Sequence, residues 1–195
     1  MLLFHGVGAT PADMVGVGQH VAALDAKAFV VSVAAPYPSD FGHGLQWFSV
    51  MGVTEANRPE RVAAALTQFG KTVRRWQSEA NVSADATTLI GFSQGAIMAL
   101  ESVAGGGAAI SARVIAASGR FSRLPESLAS GVSVHFVHGD ADTIMAAAHS
   151  VEASVHLAKA GVPTSIDMVP GLGHGIDGRA LRYILRRVPA PANLP

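Results

Sequence analysis

Gly91-Phe92-Ser93-Gln94-Gly95 is the stretch of this chain whose residue types and spacing suit covalent chemistry. A serine hydroxyl is a weak nucleophile near neutral pH and needs a base to take its proton. The base in turn needs a group that holds its working tautomer. Ahead of Ser93, the run ending at Leu89-Ile90 reads as a short buried strand, and behind it Ala96 to Leu100 is a helix-forming run. A turn that sharp from strand to helix strains the backbone at Ser93. It also presses positions 91 and 95 against neighbouring chain, where glycine fits and a side chain would collide. The turn lifts the hydroxyl to the N-terminus of the next helix, whose dipole favours negative charge developing nearby.

The elements that must position such a serine are legible as alternating runs. Strands are expected at 2–4, 29–34, up to 90, 113–117, 132–137 and 164–169. Helices are expected to open at Thr10-Pro11, with Thr10 as N-cap and Pro11 in the first turn, and to cover 59–79, 96–100, 146–160 and 179–187. On 59–79, Val62, Ala65, Leu66, Phe69, Val73 and Trp76 fall on one side. Residues 36–58 read as a long loop carrying Trp47, Phe48 and Met51, and 189–195 as a loose proline-rich tail. This alternation implies one α/β domain over 1–195. Its central sheet is mainly parallel, with helices on both faces. Chemistry in such sheets lies beyond the carboxyl ends of the strands. The first strand begins almost at Met1, so the sheet is expected to have a shortened N-terminal edge.

Composition narrows the classes of function. Charged residues are only 14% against 49% hydrophobic, which fits a heavily buried fold and not a disordered chain. Fourteen basic residues balance fourteen acidic ones, so no basic face for nucleic acid is implied. With no Cys there is no thiolate nucleophile or thiolate metal site, and no HExxH or His-x-His pair suggests a metal. No run reaches the ~18 apolar residues of a membrane span, and no signal peptide is evident. A cytoplasmic protein is therefore expected.

A strand, Gly-x-Ser-x-Gly and a helix in that order form the nucleophile elbow of the α/β-hydrolase fold, in which acid and then histidine follow the serine. Of eight histidines, His135, His138, His149, His156 and His174 follow Ser93. His135 lies inside a strand, His149 and His156 are seven apart on a helix and read as surface residues, and His138 precedes the acid. His174 stands in the glycine-flanked loop after the last strand, where a base can reach the elbow. Asp140 and Asp142 both follow the strand ending at Val137, and either suits the acid. An oxyanion needs donors: the Gln94 N–H directly after the nucleophile is one, and the turn after the first strand, at Val7, should supply the other. His5 and His138 are expected to brace their turns.

Leu3-Phe4-His5-Gly6-Val7-Gly8, Gly91-Phe92-Ser93-Gln94-Gly95-Ala96, His138-Gly139-Asp140-Ala141-Asp142 and Gly173-His174 together resemble the phospholipase/carboxylesterase family of α/β-hydrolases, which includes acyl-protein thioesterases. Gln46-Trp47-Phe48-Ser49-Val50, with Thr54-Glu55 and Asn57-Arg58 after it, resembles a bacterial serine-esterase subgroup. The family pattern His-Gly-x-x-Asp implies Asp142 as the acid. Thr143-Ile144-Met145 stands where that pattern commonly continues Pro-Val-Val. The resemblance implies a Ser93–His174–Asp142 triad hydrolysing carboxylic esters of short to medium acyl chains, through an acyl-enzyme and without a cofactor. It implies Trp47 and Phe48 at the substrate pocket, with Met51 and Leu172 as further candidates. Thioesterase or lysophospholipase activity would use the same residues, and a silent ligand-binding protein would keep the fold. The implied partner is a small-molecule ester; a homodimer is compatible with the family.

Overall fold

Six apolar runs pair side by side in a computed structural model that describes residues 1–188. The tail expected at 189–195 lies outside the described residues. In chain order the elements are β1 (Leu2–Phe4), α1 (Val15–Leu24), β2 (Val31–Val33), β3 (Tyr37–Pro38), β4 (Leu45–Gln46), α2 (Arg58–Ala80) and β5 (Thr88–Phe92). Then come α3 (Gln94–Glu101), β6 (Arg113–Ala117), β7 (Ser133–Gly139), α4 (Ala148–Lys159), β8 (Thr164–Val169) and α5 (Gly178–Arg187). The main sheet runs β2-β1-β5-β6-β7-β8, and every pair in it is parallel. This is the expected α/β architecture.

Side-chain alternation along each strand splits the core in two. Leu2, Phe4, Leu89, Val114, Val134 and Phe136 join the buried faces of α2, α3 and α4. Leu3, Ile90, Ile115, Val137 and Val169 join α1 and α5 on the opposite face. Burial on both faces is why these strands read as unbroken apolar runs. The register brings the carboxyl ends of β1 and β5 level, with Phe4 opposite Gly91. Phe92 pairs with Ala117, and Gly139 with Val169, so the loops after five strands open on one edge.

Three boundaries differ from the sequence expectation. The helix at Thr10 begins as a 3-10 turn over Pro11–Met14, with Thr10 and Asp13 forming a reciprocal capping box, before α1. The strand expected over 29–34 contracts to Val31–Val33 at the sheet edge. Residues 36–58 are more than a loop: β3 and β4 pair antiparallel, with Tyr37 opposite Gln46. That hairpin is sewn to the turn after β1 by Gly8 N–H to Leu45 O at 3.0 Å and Leu45 N–H to Ala9 O at 2.8 Å.

Candidate active site

Ser93 caps α3 with φ 51° and ψ −115°, a left-handed conformation that costs a non-glycine residue free energy. The flanking glycines make this turn possible. A Cβ at Gly91 would lie 2.5 Å from the Ala96 backbone, and one at Gly95 would run into the Phe4 carbonyl. Gly6 is close too: a Cβ there would sit 3.1 Å from Ser93 Cβ. The turn after β1 therefore lies directly against the serine.

Ser93 Oγ is 2.9 Å from His174 Nε2, and His174 Nδ1 is 2.7 Å from Asp142 Oδ2. The three side chains follow β5, β8 and β7 respectively, so parallel pairing brings together residues up to 81 positions apart. Asp140 is elsewhere: its carboxylate accepts the Gly171 N–H at 2.6 Å and fixes the start of the histidine loop. Phe92 packs on the His174 ring with centroids 5.0 Å apart. The Asp142 side chain is fully buried. Burial pushes its pKa up, but the N–H groups of Met145 and Ile144 and the His174 ring outweigh this and hold it below the ordinary carboxylate value. It is an anion at neutral pH.

Val7 lies in the turn after β1, and its N–H takes part in none of the backbone bonds of that turn. Gln94 is the first residue of α3, where helix N–H groups have no partner within the helix. Both sit beside the serine, and His5 stiffens the turn. Its Nε2 accepts the Ala35 N–H at 3.2 Å, so Nδ1 carries the proton and donates to Gly6 O at 2.8 Å.

The aromatic candidates belong mainly to the core and also line a cavity of about 390 Å³ with Tyr37 and Ser49. Trp47 is 1% exposed and packs on Phe4 and Phe69, with ring centroids 6.0 and 4.9 Å away; Phe48 is 6% exposed in the same core. Leu172 is half-buried on the other core, while Met51 is exposed. Leu172 and Met51 do not share that cavity. A second cavity, of about 510 Å³, opens beside His174, lined by Ala9, Met14, Val17, Phe92 and Ile176 among others. Its walls come from the turn after β1, the 3-10 turn with the start of α1, Phe92, and the histidine loop running into α5.

Two side chains near the serine carry roles that sequence reasoning did not assign. Gln94 contributes more than its backbone: its Oε1 accepts the Trp47 N–H at 2.7 Å and its Nε2 donates to Phe48 O at 2.8 Å. Arg120, after β6, grips Glu55 through two bonds of 3.1 and 2.7 Å and so ties the segment before α2 to the same edge. His149 and His156 are half-buried and not surface residues. Arg120 lies 3.0 Å from His149, and His156 Nε2 donates to Pro125 O at 2.8 Å.

The sequence profile of the phospholipase/carboxylesterase family matches residues 1–188. The chain belongs to that family. The esterase YpfH of Escherichia coli strain K12 is 46% identical over 185 residues, which are 95% of this chain and 79% of that protein. Among solved structures, esterase PE8 superposes with a TM-score of 0.85 at 24% identity, covering 95% of this chain and 88% of its own. The Bacillus cereus carboxylesterase gives 0.78 at 19% identity, over 95% and 84%. These two structural likenesses bear on the fold: they share the α/β-hydrolase architecture of this phospholipase/carboxylesterase family member. No helix among the described residues is long and apolar enough to cross a membrane.

Proposed function

We propose that this family member is a serine carboxylesterase. The observation that carries the reading is the continuous chain from Ser93 Oγ through the His174 ring to the buried Asp142 carboxylate, at 2.9 and 2.7 Å. Ser93 Oγ attacks the ester carbonyl carbon while His174 Nε2 takes its proton. Asp142, ionised and buried, holds the tautomer with the proton on Nδ1 and stabilises the imidazolium. The N–H groups of Val7 and Gln94 receive the negative charge that develops on the carbonyl oxygen. His174 gives its proton to the departing alcohol, leaving an acyl group on Ser93. Water then loses a proton to His174 and attacks the acyl carbon, and the acid departs as Ser93 recovers its hydrogen.

A family whose members are esterases, and a 46% identical relative named as one, support the ester as substrate class. The cavity beside His174 is of the size that takes a small ligand. Its apolar lining suits short to medium acyl or alkyl groups. Thioesters and lysophospholipids present the same carbonyl chemistry, and an ester panel across acyl lengths separates these preferences. Ser93→Ala tests the core of the reading. Turnover of a p-nitrophenyl ester is expected to fall about 10⁴-fold or more, and fluorophosphonate labelling at Ser93 to disappear. Retained turnover rejects the assignment, and a wild-type protein that takes no label is a binding protein.

A further inference from the structure

His138 touches neither the nucleophile nor solvent. It lies near the end of β7, and its side chain and that of Asp142 are both fully buried. His138 Nε2 is 2.8 Å from the Met145 carbonyl oxygen and 3.3 Å from Asp142 Oδ2. Both neighbours are acceptors. Nε2 therefore carries the proton of the ring, since a bare nitrogen there would face two lone pairs away from water. On the far side Nδ1 is 2.7 Å from Ser150 Oγ in α4, and that hydroxyl is 2.9 Å from the Gly119 carbonyl. Burial pulls the pKa of His138 below the ordinary histidine value, against the opposing pull of the Met145 carbonyl and of Asp142. Nε2 is a donor in the neutral ring and in the cation alike. The ionisable groups facing it are Asp142 and, beyond it, His174; Ser150 of α4 and the Gly119 carbonyl after β6 are uncharged.

Asp142 is thus ringed by N–H groups, with His138 the most distant: its Nε2–H bonds to the Met145 carbonyl and stands beside Oδ2 as a polar neighbour. Oδ1 accepts the Ile144 and Met145 N–H groups at 2.9 and 2.8 Å. Oδ2 faces two imidazoles: His174 Nδ1 at 2.7 Å on the serine side and His138 Nε2 at 3.3 Å on the interior side.

We propose that His138 is a positioning residue for Asp142, whose Nε2–H holds Oδ2 where His174 meets it and draws off part of the charge on that oxygen. The inference rests on reading Ser93, His174 and Asp142 as a triad. With Oδ1 tied to two backbone groups and the His138 Nε2–H beside Oδ2, rotation of the carboxylate is resisted when His174 becomes charged. A carboxylate that loses this donor keeps more charge on Oδ2 and holds the protonated His174 harder. The acid limb of the kcat/KM profile then moves to higher pH. A histidine that merely braced its loop would affect stability and leave that limb in place.

The test compares wild type, His138→Phe and His138→Gln on a p-nitrophenyl ester from about pH 5 to 9, with the thermal midpoint measured alongside. His138→Phe keeps the ring and loses the donor: kcat is expected to fall about tenfold, the cost of one bond to a charged group, with KM little changed and the acid limb raised. His138→Gln places an amide N–H in the same position and is expected to recover most of both. An acid limb unmoved in His138→Phe overturns the proposal, as does a failure of Gln to recover activity where Phe lost it. Should His138→Phe not fold, His138→Met, which also lacks the donor, is read the same way: a raised limb supports the proposal and an unmoved one overturns it. The triad reading fails by a different signature, namely active Ser93→Ala or wild-type protein that a fluorophosphonate does not label.

Discussion

The elbow at 91–95 and the hairpin segment at 36–53 touch each other, yet opposite devices hold them. The elbow is fixed by missing atoms: Gly91 and Gly95 let backbone meet backbone, and Ser93 takes its φ of 51° because nothing else fits. The hairpin segment has one such contact, since a Cβ at Gly44 would run into the Gly8 carbonyl, but the rest of it is held by polar side chains that reach across it. Asp40 alone accepts from Gln46 Nε2 at 3.0 Å, Ser49 Oγ at 2.8 Å and the Val50 N–H at 2.8 Å. Arg61 of α2 donates to the Ser49 and Met51 carbonyls at 2.9 and 2.8 Å. Gln94 joins the two regions, starting on α3 and ending on the Trp47 and Phe48 backbone. The difference teaches that steric constraint is all-or-none, whereas a polar scaffold can be weakened by degrees and by pH.

The largest effect should come from the steric side. Gly95→Ala drives a methyl group into the Phe4 carbonyl, with backbone on both sides and no side chain to yield. It is expected to cost about 3 kcal/mol or more, seen as loss of soluble protein or a collapse of the thermal midpoint. A normally stable Gly95→Ala protein would erase the contrast between the two regions.

Gln94→Ala acts at the junction and comes next. It leaves the Trp47 N–H and the Phe48 carbonyl without partners, and each orphaned buried group costs about 1–3 kcal/mol. The denaturation midpoint should fall, and kcat/KM with it as the segment beside Ser93 loosens. Gln94→Glu sets a buried carboxylate oxygen against the Phe48 carbonyl and should cost at least as much.

Asp40→Asn probes the polar scaffold through pH. Hydrogen bonds from Gln46 first, then Ser49, Val50 and Met51, hold the Asp40 carboxyl below the ordinary carboxylate value against a small opposing effect of burial. A depressed native pKa means that its stabilising effect is fully present above the unfolded value of about 3.9. It is lost as pH falls from there toward the native value. Wild type should therefore exceed Asp40→Asn in thermal midpoint at neutral pH, with the gap closing below about pH 4. A gap that stays constant into acid would mean that these bonds do not respond to the charge.

The smallest effect is expected at Trp47. Its ring is in the core, and its Nε1 has no hydrogen-bond partner among the described residues, so Trp47→Phe sacrifices packing but no bond. A loss of about 1–2 kcal/mol is expected, with acyl-length preference unchanged. A changed preference on an ester panel would return Trp47 to the pocket wall and sharpen the reading of the segment it sits in.

The elbow was legible because its cause is local. Glycine at 91 and 95, a strand before and a helix after lie within about a dozen residues, and the apolar runs buried on both faces announce a parallel sheet. The hairpin was not legible, because β3 and β4 are two residues each and carry no period; Asp40 and Arg61 hold them from outside, the former through Gln46 of β4. Trp47 and Phe48 were placed at the pocket by resemblance, yet α2 supplies Phe69 to bury Trp47, a contact that no spacing between them encodes.

The sequence by itself determined the alternation of strand and helix, the strained turn at Ser93, and which residue types could activate a hydroxyl. Side-chain size, glycine freedom and periodic burial act over a few residues, and so they are written in the order of the chain. The family pattern already pointed to Asp142, and the structure sets it and not Asp140 against His174; only the tertiary structure decided that His138 lies behind it. It also decided that a cavity opens between α1 and the histidine loop, beside His174. These choices turn on distances of 3 Å between segments dozens of residues apart. The register of the parallel strands sets such distances, and no single segment carries it.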